Sequence, residues 1–354
     1  PINSKELKQR IAAINKENRT KKELKQIKDL EGKHLPKLEE YEQKLEIMGD
    51  RNSYSKTDPD ATFMRMKDDH MRNGQLKPAY NEQIGTENQF ITHYDFFPNP
   101  GDTLTLIPFF ERFQKCYNKL PEKASADSGY GSEENYEYMQ KEEIEAYVKY
   151  NYFHKEQKKS YKNNPFFQQN LYYNQQEDYF VCPMGQHMHR TENITRKNKS
   201  GFVSQIAINK TKNCEGCPMR SSSHKAKENR EIEVNHKLRE HRRKARERLT
   251  SEEGLRMRRK RPIEPEAVFG QMKFNKSYNR FRHTGKDKIK MDFAIFAIAF
   301  NILKLYRKTT KKRKAVNNLR KNSKTSLFRV NLNPLNQKLE DLSFNQKILE
   351  NAAA

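Results

Sequence analysis

Two short stretches of the sequence place a carboxylate where a divalent cation could bind. In the first, ADSGYGSEENY, Asp127 ends a predicted short strand at residues 123–127, and small residues follow it. A carboxylate in this position can hold Mg²⁺ or Mn²⁺ and leaves room for a phosphate beside the ion. Taken alone, the stretch also fits a plain turn in which Asp127 is only a local cap.

The second stretch, RPIEPEAVFGQMK, predicts a helix with an acid and a base on one face. Glu266 and Lys273 are seven residues apart, which is nearly two turns of an α-helix. Glu266 could bind a metal ion while Lys273 contacts a phosphate as a point charge. We expect Val268, Phe269 and Met272 to face the core. In isolation, the same pattern fits an amphipathic helix with ordinary surface charges.

A third group of residues has the donor atoms of a structural zinc site. Cys182, Cys214 and Cys217 supply thiols, the last two as a CxxC pair, and His224 lies nearby. Three thiolates and one imidazole complete a tetrahedral Zn²⁺ site. The alternative is a set of reduced cysteines that pack a small hairpin unit. Cys116 lies on a predicted core helix, and we expect it only to pack there.

The charge balance points to a polyanionic partner. The 354 residues include 70 Lys and Arg against 46 Asp and Glu, a formal net charge of +24. This surplus favours nucleic acid and argues against a protein that binds basic partners. The longest apolar stretch, residues 293–305, is too short to span a membrane. We therefore expect a cytoplasmic protein with no membrane partner.

Many of the basic residues flank the second acidic stretch, which carries Glu266. Phosphate contacts from them would hold a duplex in register without reading its sequence. The basic residues concerned are Arg239, Arg242, Arg243, Lys244, Arg246, Arg248, Arg256, Arg258, Arg259, Lys260, Arg261, Arg280 and Arg282.

The periodicity of the sequence predicts an α/β protein. Residues 1–54 predict a helical hairpin or short coiled coil. Strands at 79–87 and 88–97, a helix at 103–120, the strand at 123–127, a further helix and another strand predict a mixed sheet with flanking helices. The remaining boundaries place a first core segment at 55–153, a linker and Cys/His insertion at 154–227, helices completing the core at 228–307, and a basic flexible tail at 308–354.

These motifs, taken together and in order, resemble the DDE transposases of bacterial insertion sequences. The resemblance is to the branch with a Cys-containing insertion before the last acid, and it runs from about residue 55 to 307. It is carried by TDPDATFM, KPAYNEQIGTENQFI, ADSGYGSEENY, the Cys/His unit, RPIEPEAVFGQMK and RFRHTGKDKIKMDFAIFAIAFNILKL. It implies a ribonuclease-H-like core and three carboxylates that hold two Mg²⁺ or Mn²⁺ ions. It also implies cutting and joining of DNA at transposon ends and in target DNA.

The resemblance assigns roles to individual residues. Asp127 resembles the second acid, and Glu266 resembles the third. Lys273 resembles the lysine that grips DNA near the cleaved end, and Arg261 resembles the arginine just before the third acid. Glu264 competes for the third position, but it lacks the matching spacing to Lys273.

The sequence departs from the family pattern at two points. The first acid, on a strand ending in an Asp–Gly–Thr-like turn, is not found, so we expect that strand upstream of Pro1. Asp58, Asp60 and Asp102 are substitutes, and Glu87 is a weaker one. At the second point, a position that is usually Cys, six residues after the CxxC pair, holds Ser223 here.

Three functions follow from these features. The first is a bacterial, nucleoid-associated transposase that lacks its first Asp in this chain and works as a homodimer on DNA. The second is a non-catalytic DNA-binding remnant of a transposase. The third is a basic protein associated with RNA or ribosomes. Cleavage that depends on Mg²⁺ separates the first from the second, and a preference for RNA over duplex DNA would favour the third.

Overall fold

A computed structural model describes residues 3–14, 20–66 and 71–325, and side chains only to residue 313. The chain divides into two units, residues 1–293 and 294–354. The α-helices are α1 Ser4–Ile14, α2 Lys21–Asp29, α3 Leu35–Met48, α4 Leu106–Tyr117, α5 Glu133–Lys141, α6 Lys159–Lys162, α7 Arg220–Ser223, α8 His236–Thr250, α9 Glu252–Lys260, α10 Ala267–Gly270 and α11 Lys286–Thr325. The strands are β1 Thr62–Arg65, β2 Leu76–Ala79, β3 Asn81–Glu87, β4 Phe90–Phe97, β5 Lys123–Ala126, β6 Glu145–Val148, β7 Tyr172–Asn174, β8 Tyr179–Val181, β9 His187–Lys197, β10 Val203–Thr211 and β11 Glu231–Val234.

The predicted N-terminal helical hairpin is confirmed. A π-helical turn, Leu30–His34, joins α2 to α3, so Pro36 lies in the first turn of α3 and does not break the helix. Helix α1 returns against α3, where Ser4 donates its backbone N–H to Glu42 across 2.8 Å.

The α/β prediction is confirmed, but the single mixed sheet is not formed. Among the described residues, β3 pairs only with β4, antiparallel, and β5 pairs only with β6, parallel. β1 and β2 form a third antiparallel pair. Backbone hydrogen bonds therefore hold the two core pairs as separate sheets, and side chains connect them. One such connection is the hydrogen bond from the Tyr130 hydroxyl to Gln83.

The hydrophobic core of the first unit lies between β6, α4, α5 and α8. Its buried members include Phe110, Met139, Val148, Phe153 and Leu249. Leu249 and Ala245 bring α8 onto this core, so the basic helix has an apolar face that packs and a charged face that is solvated. The burial of this helix face fixes β6, and with it the edge of the sheet that carries Asp127.

The Cys/His insertion is a five-stranded antiparallel sheet with the order β11-β10-β9-β8-β7. Strand β11 comes from the start of the segment that the sequence assigned to a basic helix, so the helix begins only at His236. Phe180 and Met188 are fully buried in the small core of this sheet.

The C-terminal region differs from the prediction in two ways. Helix α11 continues through Thr325, so residues 308–325 are helical where we expected a flexible tail. The predicted core helix is buried on one face, at Phe293, Ala297 and Phe300. Three isoleucines of the same stretch are each more than half exposed, namely Ile295, Ile298 and Ile302. Residues 326–354 lie outside the described part of the chain. No helix in the described part is long and apolar enough to cross a membrane.

Candidate active site

Asp127 lies at the carboxyl end of β5, as the sequence predicted. Its Oδ1 accepts a hydrogen bond from the Ser128 backbone N–H at 2.9 Å. The same oxygen forms an ion pair with Arg261 Nη1 at 3.0 Å. Burial acts to raise the pKa of Asp127, but the Ser128 N–H and the Arg261 guanidinium outweigh it and lower the pKa. Because its side chain is 58% exposed, this ionised carboxylate is accessible from solvent.

The residues after Asp127 fold as a tight turn that requires two glycines. A Cβ on Gly131 would lie 2.5 Å from the Lys149 carbonyl oxygen, and one on Gly129 would lie 2.9 Å from Asp102 Oδ2. The buried Asn135 closes the turn, because its Nδ2 donates to the carbonyl oxygens of Thr103 and Tyr130, each at 2.9 Å. The ADSGYGSEENY motif therefore specifies a rigid turn that holds Asp127.

Glu266 and Lys273 lie on one helical run with two π-helical segments, Pro262–Glu266 and Gln271–Asn275, on either side of α10. Each π segment has a wider turn than an α-helix, so the expected two-turn spacing is altered. Both side chains are exposed. Val268 and Met272 are fully buried, as predicted.

Glu264, the competitor of Glu266, is tied to the β3–β4 turn. Its Oε2 accepts a hydrogen bond from the Gln89 backbone N–H at 2.6 Å, and Gln89 Nε2 donates to the Ile263 carbonyl at 2.9 Å. Gln89 and its neighbour Asn88 both have positive φ angles, as a two-residue hairpin turn requires. The side chain of Glu264 thus has a structural partner that accounts for its position.

Lys149 connects the two candidate acids. It follows β6 directly, beside Asp127, because β5 and β6 are parallel with Ala126 opposite Val148. Burial lowers the pKa of Lys149, while Asp127 and Glu266 both act to raise it. Asp127 and Glu266, 139 positions apart, therefore act on the same ammonium group.

A complete three-carboxylate site is not formed. Within the described residues, no group of three or more His, Cys, Asp or Glu side chains converges to hold a metal ion. Asp127 and Glu266 both act on Lys149, and no acid for the first position converges with them in the described part of the chain.

The proposed substitutes for the first acid have structural partners instead. Asp58 accepts a hydrogen bond from the Tyr80 hydroxyl at 2.7 Å, and Asp60 accepts one from the Lys286 backbone N–H at the start of α11. Asp102 accepts from Asn81 and Gln83 and supports the turn at Gly129. Glu87 is exposed at the end of β3.

Sequence reasoning missed Glu82, an acid on β3. Its Oε1 is buried and has no hydrogen-bond partner among the described residues. Burial raises the pKa of Glu82 to about 7, and the Lys273 ammonium acts weakly in the opposite direction. The only signal in the sequence was a charged residue in the interior of a predicted strand.

Several of the predicted DNA-binding arginines are engaged within the protein. Arg243 pairs with Glu240 and Glu247, and Arg246 pairs with Glu156 at 2.6 Å. By contrast, Arg280 and Arg282 are exposed on either side of Phe281. Phe281 packs edge-on against Phe96 at 5.2 Å, so it anchors the segment that carries these two arginines.

The thiols of the Cys/His unit surround one small cavity of about 30 Å³, which Cys182, Cys214, Cys217 and His224 all line. His224 Nε2 lies 2.9 Å from the Glu228 carbonyl oxygen, and its buried Nδ1 has no partner among the described residues. A bond from Nε2–H to that carbonyl leaves Nδ1 with a lone pair.

Arg230 occupies the same cavity wall. Its Nη1 donates to Ser223 Oγ at 3.0 Å and its Nη2 to the Phe166 carbonyl at 2.6 Å. Burial lowers the pKa of Arg230, while Cys182 and Cys214 act to raise it. A cation therefore already lies beside two of the thiols. Cys116, expected to pack in the core, is exposed.

Comparison with known proteins relates part of the chain to one family. Residues 181–306 match a family model described as a transposase DDE domain. The resemblance to DDE transposases is confirmed. The transposase match covers the Cys/His unit and the helical run with Glu266 and Lys273, and it begins after Asp127. No curated protein and no solved structure matches the chain.

Proposed function

We propose that the chain is part of a DNA transposase that cuts and joins DNA strands by two-metal phosphodiester chemistry. The observation that carries the proposal is the ion pair between Asp127 and Arg261. It joins the carboxyl end of β5 to the start of the helical run that carries Glu266. This helical run lies inside the segment that matches a transposase DDE domain. The ribonuclease-H-like arrangement of the core is part of this proposal.

The donor atoms suit magnesium or manganese. Mg²⁺ prefers carboxylate and water oxygens, keeps several waters, and is often held by one or two carboxylates together with substrate phosphates. Asp127 and Glu266 would hold Mg²⁺ or Mn²⁺, which activates the attacking oxygen and stabilises the leaving oxygen of an in-line displacement. We propose that the first acid comes from a strand upstream of Pro1, since Asp58, Asp60 and Asp102 have structural partners.

The residues of the chain have distinct tasks in this proposal. Asp127 is kept ionised by Ser128 and Arg261, so it is ready to bind a cation at neutral pH. The exposed Lys273, Arg280 and Arg282 bind backbone phosphates of transposon-end and target DNA. We also propose that the protein acts as a homodimer and is associated with the bacterial nucleoid.

The test is strand cleavage by the protein with its upstream coding sequence restored. Labelled transposon-end duplex is incubated with Mg²⁺ or Mn²⁺, and nicked strands are resolved on a denaturing gel. Asp127→Asn and Glu266→Gln should each reduce nicking by at least about a hundredfold, because loss of a metal ligand removes several kcal/mol of transition-state stabilisation. DNA binding without metal should remain.

Two controls make the assay specific. Glu264→Gln tests the competing acid, and we expect it to cleave because Glu264 is bound to the β3–β4 turn. Glu46→Gln removes an exposed carboxylate on α3 and should have no effect. Normal nicking by either the Asp127 or the Glu266 variant would contradict the assignment of that acid.

A second candidate function is a DNA-binding remnant without catalysis. The observation that favours it is the absence of three converging acids among residues 3–14, 20–66 and 71–325. This alternative predicts salt-sensitive DNA binding with no metal-dependent nicking, even when the upstream sequence is restored. Tighter binding to RNA than to duplex DNA would instead favour an RNA-associated protein.

We also propose a structural Zn²⁺ site formed by Cys182, Cys214, Cys217 and His224. Support comes from the shared cavity and from His224 Nδ1, which is buried and lacks a partner among the described residues. Three thiolates and one imidazole are a common structural zinc set. Zinc binding would require the donors to close in, because no three of them converge in the described structure.

A further inference from the structure

Four basic side chains gather at the carboxyl ends of β5 and β6. We name this group, Lys149, His154, Arg258 and Arg261, the strand-end basic cluster. Lys149 is placed there by the parallel pairing of Ala126 with Val148, and Arg261 by its ion pair with Asp127 at 3.0 Å. Lys149 and His154 were not among the DNA-binding residues predicted from the sequence, whereas Arg258 and Arg261 were.

The charges in the strand-end basic cluster affect the pKa values of its members. Burial lowers the pKa of Lys149, and Arg261 and Arg258 lower it further. Burial likewise lowers the pKa of His154, with Lys149 and Arg258 acting in the same direction and Asp127 opposing them. These effects agree with the geometry, in which strand pairing places Lys149 beside Asp127 and an ion pair places Arg261 there.

The cluster is held by the core beneath it. The Arg258 guanidinium lies over the Phe153 ring at 4.9 Å, and its Nη1 reaches the Leu249 carbonyl at 3.5 Å. The His154 ring meets the same Phe153 ring edge-on at 5.3 Å. Phe153 is almost fully buried, so both basic groups have a fixed support.

The strand-end basic cluster lies among acidic side chains. Lys149 is influenced by Arg258 and Arg261 and also by Asp127 and Glu266. Asp102 is close as well, 2.9 Å from where a Cβ on Gly129 would lie. In addition, Arg261 Nε is buried with no hydrogen-bond partner among the described residues. A bound anion would reduce the repulsion among the basic side chains and would give Arg261 Nε a partner.

We propose that the strand-end basic cluster binds one backbone phosphate of DNA beside Asp127. Lys149 contacts the phosphate as a point charge, and the arginines supply planar N–H donors. Lys149 and Arg258 are then positioning residues for the strand that is cut. The proposal rests on the proposed transposase function, which supplies DNA as the ligand.

The first test measures DNA binding without metal. A fluorescent mixed-sequence duplex is titrated with the full chain in EDTA, from about 50 to about 200 mM KCl. Lys149→Gln should lower the slope of log affinity against log salt by about 0.9, the contribution of one phosphate contact on B-DNA. Lys149→Arg should retain the slope, because it keeps the charge.

Lys141→Gln is the matched control. Lys141 is an exposed lysine that ends α5, at the opposite end of the β5–β6 pair, and loses the same charge when substituted. Its slope should equal that of the unmodified protein. An unchanged slope for Lys149→Gln, or an equal decrease for Lys141→Gln, would overturn the proposal.

The second test needs no variant, so it does not depend on the folding of a mutant. Lysines of the full chain are acetylated with and without duplex, and modification is read by mass spectrometry. DNA should protect Lys149 severalfold and leave Lys141 unprotected. Equal modification of Lys149 in both states would refute the phosphate site. Both tests omit metal, so their results do not depend on cleavage. If the nicking assay failed while these two tests succeeded, the transposase chemistry would be contradicted and the phosphate site would stand.

Discussion

The Arg261 guanidinium contacts Asp127 Oδ1 at 3.0 Å, and this contact joins two parts of the chain that are 134 positions apart. Arg261 is 14% exposed and Asp127 58% exposed, so the arginine is held by its surroundings while the carboxylate faces solvent. The ion pair occupies an oxygen that a metal ion would need. If Asp127 binds a metal ion as proposed, Arg261 has two roles, to lower the pKa of Asp127 and to compete with the cation for Oδ1.

Arg261→Gln should separate these two roles. The pKa of Asp127 should rise, because one of the groups that lower it is lost. The Mg²⁺ concentration for half-maximal nicking should fall by about fivefold, because the partly exposed ion pair contributes on the order of 1 kcal/mol. DNA affinity in EDTA should fall at the same time. Carboxyl chemical shifts during a pH titration report the pKa, and tighter DNA binding by this variant would contradict the phosphate role of Arg261.

Glu82→Gln should alter how stability depends on pH. The pKa of Glu82 is raised from 4.5 to about 7, so the folded protein binds a proton more tightly than the unfolded chain does. The stabilisation that protonated Glu82 gives the folded protein is fully present below about pH 4.5 and is lost as the pH rises through about 7. A shift of this size corresponds to a loss on the order of 3 kcal/mol at high pH.

The measurement is the Tm of both proteins between pH 5 and pH 8. Glutamine cannot ionise, so the Tm of Glu82→Gln should decline less than that of the unmodified protein over this range. Glu87→Gln, an exposed acid on the same strand, is the control and should follow the unmodified protein. Parallel Tm curves for all three proteins would show that Glu82 does not titrate in this range.

Gly131→Ala should disturb the turn that holds Asp127. The φ of Gly131 is −78°, which any residue can adopt, so the requirement for glycine comes from the close approach of the Lys149 carbonyl. We expect a loss of about 1–3 kcal/mol in unfolding free energy, because backbone must shift to admit the methyl group. Gly101→Ala meets no atom within 4 Å and should change stability by less than about 0.5 kcal/mol. Urea denaturation compares the two, and equal stabilities would contradict the structural account of the turn.

The sequence predicted individual helices and strands better than it predicted which strands pair with each other. The strands on either side of Asn88 were expected because β-branched and aromatic residues fill them, and β3 and β4 lie there. Asn88 and Gln89 adopt positive φ angles between them, as a tight turn requires. Among the described residues the core strands pair as β3–β4 and β5–β6 and do not form one continuous sheet. Periodicity does not reveal such pairings, because the partners of a strand can be distant in sequence.

The candidate site shows the same limit. Asp127 was found from its place at a strand end, and the burial of Val268 and Met272 from helical spacing. Lys149 and Glu82 were missed, because their significance depends on neighbours from other elements. The engagement of Arg243 and Arg246 with glutamates was also missed, since a run of basic residues does not indicate which of them are paired.

The Cys/His unit should contain about one zinc ion per chain if the four donors close on the cavity. Cys217→Ser should remove the zinc and lower the Tm, and His224→Ala should do so as well, because Nδ1 is the proposed fourth donor. Arg230→Lys should retain the zinc but lose the bonds to Ser223 and Phe166. The competing account is that the Arg230 cation holds the unit together without metal. In that case purified protein would lack zinc by elemental analysis, a chelator would leave the Tm unchanged, and Arg230→Lys would be the variant with the largest loss of stability.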